Sequence, residues 1–316
     1  EKSAKLGNEN AKNRLRELDS PKPKDFERWP FELIQNANDS ILSVKNDLSN
    51  QKVRIEFDFL DDKVIFRHNG SPFKYKSLMA LLYQYSKGKS NNEFTTGRFG
   101  TGFMSTFILS WNVHISGDVE AENITGFDVM IYRDGKKKKE LKNGVKQMEK
   151  SLKKNLPIKR MTIFEYDFKN TSQFYKNSVE AYNKGFLCLL RNIPQVLILN
   201  PTIESVVINA KSKSILYKAN HEYGPIQTVT INSNNQIKTV RFLLFNSNEK
   251  IQSKNVSINC LLQIGSENNI FNSSIDKPLY ISYPLIGVRN FNSPIIIKSK
   301  EFEPEKERDD IAPTIV

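Results

Sequence analysis

The sequence has few cysteines and few histidines, and each shortage excludes a class of protein. Its two cysteines, Cys188 and Cys260, stand among apolar neighbours, where a free thiol behaves as a small hydrophobic group rather than as a redox centre or half of a disulfide. The three histidines, His68, His114 and His221, are not grouped with cysteines or acidic residues at ligand spacing. The sequence therefore carries no zinc signature.

Long apolar runs are also lacking. No run approaches the ~18 residues that cross a bilayer, and the N-terminal stretch EKSAKLGNENAKNRLRELDS has no apolar segment of the signal-peptide kind. We therefore expect a soluble, cytoplasmic protein that does not associate with membranes. The chain starts without Met and stops at DDIAPTIV without an evident terminating element, so we also expect it to be a piece of a larger protein.

Positive charge is abundant but concentrated in one segment. The net charge is +12, and residues 132–160 hold twelve Lys and Arg against three acidic residues. Two interpretations of this segment stay open. Its lysines belong either to a solvated loop and helix or to a patch that binds nucleic acid or another polyanion.

The hydrophobic pattern predicts an α+β fold in two domains, residues 1–170 and 171–316. In the first domain a helix begins between Asp25 and Pro30 and runs through Ser43. The runs VRIEFDF and VIFRH form a hairpin, and VHISG, GFDVMIY and MTIFEYDF are further strands of a mostly antiparallel sheet with helices on one face.

The second half is richer in β-forming residues. A helical stretch, TSQFYKNSVEAYNKGFLCLLRNI, leads into a succession of runs that we predict to be strands. QVLILN is the first of these runs, and SVVINA, SILYKA, IQTVTI, TVRFLLF, VSINCLLQIG and LYISYPL follow it. The pattern therefore predicts a second domain dominated by strands.

Two short motifs support the functional hypothesis: ELIQNAND at residues 32–39 and GRFGTGF at residues 97–103. A helix places the polar side chains of the first motif on one face: Glu32, Gln35, Asn36, Asp39 and Ser43. The opposite face is apolar: Leu33, Ala37, Ile41 and Val44. In the second motif, glycines stand where a turn meets the N-terminus of a buried helix predicted at residues 99–110, and free backbone N–H groups at such a position bind anions such as phosphate. Taken singly, the first motif is also typical of a solvated helix face and the second of a tight loop.

The order of these segments resembles the GHKL ATPase superfamily, which includes gyrase, heat-shock chaperones, histidine kinases and MutL. ELIQNAND matches its first motif and GRFGTGF its later glycine motif, while HNG at residues 68–70 stands where the middle motif usually reads Asp-x-Gly. Within this superfamily the chain looks most like sacsin-type ATP-binding modules. This likeness rests on RWPFELIQNAND, HNGSPF, the Ser86-Lys87 pair and TGRFGTGF. The resemblance covers roughly residues 25–170 and implies a two-layer α/β sandwich (the Bergerat-type ATP-binding fold), followed by a β-rich α+β domain similar to a transducer or middle domain.

The resemblance also implies ATP and Mg²⁺ as cofactors and assigns roles to residues. Asn36 becomes the side-chain oxygen ligand of the Mg²⁺, and Glu32 becomes the catalytic base that deprotonates the attacking water. Residues 71–96 correspond to an ATP lid. The other nucleotide-binding residues that it implies are Asp39, His68, Gly70, Lys87, Gly97, Arg98, Phe99, Gly100, Thr101, Gly102, Phe103 and Thr162. Arg308 is the candidate for a catalytic arginine that reaches the γ-phosphate, with a surface run of mixed charge, KERDD, as the alternative.

His68 departs from the family pattern, because it replaces the aspartate that usually reads adenine. A neutral imidazole has one ring nitrogen that accepts the exocyclic amine of adenine, provided that a neighbouring group holds its tautomer. The alternative is a strand-end residue without a role in binding.

Several functions are consistent with these residues. The first is a slow Mg²⁺-dependent ATPase whose lid closure drives a rearrangement of domains or protomers, as an ATP-dependent homodimer or with a partner protein. The second is a nucleotide-gated nucleic-acid clamp of the MutL or MORC type, suggested by residues 132–160. The third is a degenerate nucleotide sensor, suggested by His68. Bacterial proteins with sacsin-type modules suggest a chaperone-like or antiviral defence process.

Overall fold

The structure is a computed structural model that describes residues 20–42, 51–83, 102–133, 138–168, 175–221, 223–251, 254–265, 277–287 and 293–302. The chain divides into two compact units, Glu1–Phe186 and Leu187–Val316. The predicted assignment of residues 1–170 to an ATP-binding domain and of residues 171–316 to a transducer-like domain stays a prediction.

The described residues form four α-helices and one 3₁₀ helix: α1 (Asp25–Leu42), α2 (Tyr75–Leu82), the 3₁₀ helix (Gly102–Ile108), α3 (Lys138–Ser151) and α4 (Tyr175–Leu199). The predicted start of α1 is confirmed, although Pro30 lies inside the helix rather than in its first turn. Ala37 and Ile41 are buried, as the helical period predicts. None of these helices combines the length and the hydropathy that crossing a membrane requires.

The first unit contributes seven of the described strands: β1 (Val53–Phe59), β2 (Lys63–His68), β3 (Phe73–Lys74), β4 (Asn112–Glu120), β5 (Ile124–Tyr132), β6 (Lys153–Leu156) and β7 (Thr162–Asp167). Their order is β1-β2-β7-β4-β5-β6, and β3 pairs in parallel with β4. The predicted hairpin is confirmed as β1 and β2, whose register pairs Phe57 with Phe66. The three further strands predicted for this half are confirmed as β4, β5 and β7.

The strands of the first unit have one apolar face and one charged face. Phe57 and Phe66 are buried on the apolar face, where the Phe57 ring contacts Trp29 of α1 edge-on. On the other face, charged side chains of neighbouring strands pair across the sheet: Arg67 with Glu56 and Asp58, Lys63 with Glu165, and His114 with Glu165 and Asp128. Because successive side chains of a strand point to opposite faces, the apolar side chains lie on one face, where those of β1 contact α1.

The second unit contributes the remaining described strands: β8 (Ile203–Ala210), β9 (Lys213–Asn220), β10 (Ile226–Ser233), β11 (Gln236–Ile251), β12 (Lys254–Ile264), β13 (Leu279–Tyr280) and β14 (Ile295–Ser299). Their order is β13-β14-β12-β11-β10-β9-β8, with β13 and β14 parallel. β10 and β11 join through Asn234 and Asn235, whose φ angles are +47° and +67°. Asparagine tolerates this left-handed region, which a two-residue type I′ turn requires at both positions.

The predicted fold class, a two-layer α/β sandwich of the Bergerat type followed by a β-rich α+β domain, is wrong. The described strands belong to one large mixed sheet of fourteen strands, and helices are few. Hydrophobic alternation identifies single strands, but it does not specify which strands pair. Hairpins such as β10–β11 add strands edge to edge, and this enlarges a sheet instead of building a second layer.

The segment QVLILN is helical, so the strand predicted there is also wrong. α4 continues past Pro194 and includes the segment as far as Leu199. Val196, Leu197 and Ile198 are all buried. A short apolar run that is buried all round does not distinguish a strand from a helix by its period.

Candidate functional site

Glu32 lies on the buried side of α1 and is held by an arginine one turn earlier. Arg28 donates from Nε and Nη2 to the same carboxylate oxygen, Oε1, at 2.9 and 2.6 Å. Arg28 is 8% exposed and Glu32 is 6% exposed. The other oxygen, Oε2, has no hydrogen bond to any residue that the structure describes. The charge-assisted pair therefore fixes Glu32 through one oxygen and leaves the second able to accept a proton.

Asn36 and Asp39 lie further along α1 and are exposed. Because residues four apart are neighbours on a helix surface, Asn36 follows Glu32 on the same side. The predicted polar face therefore combines a buried carboxylate with exposed amide and carboxylate groups.

Gly70 brings the end of β2 close to α1. A Cβ at this position would lie 2.2 Å from Ser40 Oγ and 3.2 Å from the Ala37 carbonyl oxygen. A larger residue here would displace the Ser40 and His68 side chains and shift the Ala37 carbonyl by a few tenths of an ångström. The Gly70 backbone N–H donates to His68 Nδ1 at 3.1 Å. His68 and the Ser40 side chain therefore both adjoin Gly70. Ser40 lies one helical turn after Asn36.

His68 is a buried, neutral imidazole. It is 5% exposed, and burial lowers its pKa from 6.5 to about 4. Because Nδ1 accepts the Gly70 N–H, the single ring proton is assigned to Nε2. The rings of Phe66 and Phe164 lie 5.7 and 6.5 Å from the imidazole, centroid to centroid. The Gly70 N–H is thus the neighbouring group that holds the tautomer of His68. The second ring nitrogen, Nε2, carries the proton and is a donor.

Thr162 stands opposite His68 at the start of β7. It is 3% exposed, and a Cβ on Gly117 of β4 would lie 3.2 Å from its Oγ1. The preceding loop is fixed by the buried Asp118, whose carboxylate accepts two backbone N–H groups, of residues 159 and 160, at 2.8 and 2.6 Å. Strand register and the close approach of β4 therefore place Thr162 beside His68.

Of the glycine motif at residues 97–103, the structure describes the end. Gly102 begins the 3₁₀ helix, and the Phe103 ring lies 5.7 Å from that of Phe164 and 5.5 Å from that of Phe107. The buried helix predicted at residues 99–110 is thus present over its described part as a 3₁₀ helix in contact with α1.

Other predicted site residues lie outside the described part of the chain: Lys87, Gly97, Arg98, Phe99, Gly100, Thr101 and Arg308. The same holds for residues 84–96 of the predicted lid. The described members occupy four adjoining places, which are the middle of α1, the end of β2, the start of the 3₁₀ helix and the start of β7.

Ser40 and Gly117 are parts of this site that the motifs did not include, and Arg28 begins the motif RWPFELIQNAND but had no assigned role. Arg28 precedes Glu32 by four residues, and this spacing puts both on one side of a helix, so the sequence did contain a signal for the pair. Ser40 and Gly117 meet the site through contacts between segments distant in sequence, for which no local signal exists.

No protein-family model matches the chain, and no curated protein sequence matches it. Functional assignment therefore depends on the geometry of these residues and on the motifs that they form.

The side chains fit a nucleotide-bound Mg²⁺ better than a metal held by the protein alone. Within the described ranges, no group of three or more His, Cys, Asp or Glu is arranged to hold a metal ion. In phosphate sites Mg²⁺ takes one or two protein oxygens and obtains the remainder from phosphate and water. The exposed carboxamide of Asn36, one turn from Glu32, has the chemistry for such a ligand.

Proposed function

We propose that this chain binds Mg·ATP beside α1, the end of β2 and the start of β7, and that it hydrolyses ATP slowly. The proposal rests chiefly on Glu32, a buried carboxylate held at Oε1 by Arg28. Burying an ion pair usually stabilises a protein less than apolar packing of the same volume, whereas active sites retain such groups for their chemistry. The resemblance of the two motifs to those of GHKL ATPases supports the same assignment.

Each side chain has a distinct role in this proposal. Glu32 accepts a proton from the attacking water through Oε2, and Arg28 keeps Oε1 occupied, so that a single oxygen faces the water. Asn36 holds the Mg²⁺ through its side-chain oxygen, and the ion, when bound, neutralises phosphate charge. His68 and Thr162 lie on the side where the base binds.

We propose in addition that nucleotide binding drives association with a second copy of the chain or with a partner protein in the cytoplasm. The motif resemblance supports this part, including a chaperone-like or antiviral process. Turnover in such cycles is limited by conformational steps, so we expect slow hydrolysis that accelerates when the partner is present.

The test is a comparison of the wild type with Glu32→Gln, which keeps the shape of the side chain but removes the base. We expect Mg·ATP binding within about threefold of wild type and a decrease in turnover of about 10² or more, the usual contribution of a general base. Binding is measured by titration calorimetry and turnover by phosphate release. Glu56→Gln, on the charged face of the same unit, is the matched control and leaves both values unchanged.

Wild-type turnover by Glu32→Gln, with the variant folded by circular dichroism, would exclude the proposed base. Absence of Mg·ATP binding by the wild type would exclude the function altogether. Asn36→Ala separates the two roles, because it lowers the affinity for Mg²⁺ in the presence of ATP while Glu32 stays in place.

A second candidate function is nucleic-acid binding by a basic surface around α3. The inner side of α3 lies on β5, where a Cβ on Gly144 would be 2.7 Å from the Tyr132 carbonyl oxygen and where Met148 is buried. The outer side and the segment after it carry exposed cations: Lys139, Lys142, Lys146, Lys150, Lys153, Lys154, Lys159 and Arg160. A cationic surface of this kind binds phosphate backbones without sequence preference.

The salt dependence of duplex DNA and RNA binding tests this candidate. The triple variant Lys142→Gln, Lys146→Gln, Lys150→Gln removes up to three phosphate contacts, so the slope of log K against log salt decreases by about 3. The matched control neutralises Lys211, Lys213 and Lys218 of the second unit, which are also exposed. No binding at low salt, or an equal effect of both triple variants, would exclude the basic surface as a nucleic-acid site.

A further inference from the structure

His68 has a fixed hydrogen-bonding polarity. Its Nδ1 accepts the Gly70 N–H at 3.1 Å, and a ring nitrogen that accepts carries no proton. Burial keeps the imidazole neutral near pH 7, because it lowers the pKa to about 4. The single proton is therefore on Nε2, which acts as a donor.

The position of the His68 ring is fixed by its surroundings. The imidazole lies nearly parallel to the Phe164 ring, with 21° between the planes and 6.5 Å between the centroids. A Cβ on Gly70 would lie 2.9 Å from Nδ1 and 2.2 Å from Ser40 Oγ, so the backbone that donates to Nδ1 is itself confined against α1. A ring flip would place a C–H against the Gly70 N–H and lose this hydrogen bond.

The Nε2–H donor has no acceptor among the residues that the structure describes. The one hydrogen bond between these residues and the His68 ring is the bond that Nδ1 accepts from Gly70. The residue as a whole is 5% exposed. A ligand acceptor would pair with this donor, whereas a ligand donor placed opposite it would leave both groups unpaired.

We propose that His68 Nε2–H selects the nucleobase by donating to a carbonyl oxygen, so that the site prefers 6-oxopurines such as hypoxanthine and guanine to adenine. The inference rests on the proposed nucleotide binding and specifies its base. The amine at position 6 of adenine is a donor, and two donors facing each other leave both unpaired. The 6-oxo group accepts from Nε2–H, and we expect a preference of about tenfold, within the range that one hydrogen bond to a substrate group provides.

Titration calorimetry with Mg·ADP and Mg·IDP tests this inference on the whole chain. The bases of the two ligands differ at position 6, where ADP has an amine and IDP a carbonyl. We expect the wild type to bind IDP about tenfold more tightly than ADP. His68→Asp presents an acceptor in place of the donor, so the order should reverse, and His68→Gln, whose carboxamide offers both polarities, should abolish the preference.

His114→Gln is the matched control, because His114 lies on the charged face of the same sheet and its replacement leaves the ratio of the two affinities unchanged. Should His68→Asp fail to fold, His68→Gln alone still decides whether the preference depends on this residue. Tighter binding of ADP by the wild type, or a ratio unaffected by His68→Gln, overturns the base assignment and leaves nucleotide binding intact. If the wild type binds neither diphosphate and no Mg·ATP, the proposed function falls and the base assignment with it.

Discussion

Glu32 and His68 of the first unit are bonded differently from Asn200 and Tyr280 of the second unit. In the second unit, the Asn200 amide donates to two backbone carbonyl oxygens, both at 2.9 Å, and the Tyr280 hydroxyl donates to Asn192 at 3.2 Å. In the first unit, Glu32 and His68 each keep one polar atom without a partner among the described residues. Polar groups in the second unit therefore connect segments of the fold, whereas these two groups of the first unit retain capacity for a ligand.

The largest expected effect comes from the buried ion pair of the first unit. Arg28→Met removes the partner of Glu32 and leaves an uncompensated buried charge, so we expect the free energy of unfolding to decrease by about 3–5 kcal/mol. Urea denaturation measures the loss. The double variant Arg28→Met, Glu32→Gln has no such charge and recovers most of the stability. A loss below about 1 kcal/mol in the single variant would show that Glu32 does not depend on Arg28.

The next effect concerns acid. The unfolded chain protonates His68 near pH 6.5, whereas the folded chain does so only near pH 4, so the unfolded state binds more protons between these values. The free energy of unfolding therefore decreases as pH falls from 6.5 to 4, by about 3 kcal/mol from this residue. Urea denaturation at a series of pH values measures the slope.

His68→Gln removes this contribution, and His114→Gln retains it. Equal slopes for the wild type and His68→Gln would contradict a buried neutral imidazole. Glu32 would then be the one residue of this pair in the first unit that retains capacity for a ligand.

The smallest effect belongs to the second unit. Asn200→Ala removes both hydrogen bonds that its amide donates to backbone carbonyl oxygens, so we expect a loss of about 1–2 kcal/mol in the free energy of unfolding and no change in nucleotide affinity. Asn246→Ala, at an exposed amide, is the matched control and changes stability by less than about 0.5 kcal/mol. A decrease in Mg·ATP affinity in Asn200→Ala would show that this amide of the second unit also affects nucleotide binding.

Local structure was predictable from the sequence where the pattern had one meaning. The strict alternation in VRIEFDF predicted β1, and the 3.6-residue period predicted that Ala37 and Ile41 are buried. QVLILN was not predictable in this way, because Val196 and its apolar neighbours are buried whichever element they form. The fold class failed for a different reason, since strand pairing is decided by contacts between segments distant in sequence.

For the candidate site, the sequence predicted which polar side chains are present, but not their burial or their hydrogen bonds. Helical spacing placed Glu32 and Asn36 on one side of α1, but it did not predict that the first is buried and the second exposed. The tautomer of His68 depends on a backbone N–H two residues later, and no residue type encodes that hydrogen bond. The sequence therefore indicated which groups are present, and the structure showed which of their atoms are already bonded.

The burial of Trp29 has a spectroscopic consequence. The chain has two tryptophans, Trp29, which is inaccessible to solvent and donates its indole N–H to the Ala181 carbonyl oxygen, and Trp111, which is 7% exposed. Both belong to the first unit, so intrinsic tryptophan fluorescence reports the unfolding of that unit alone, whereas far-ultraviolet circular dichroism reports both. Transitions that fail to coincide between the two signals would show that the units unfold independently.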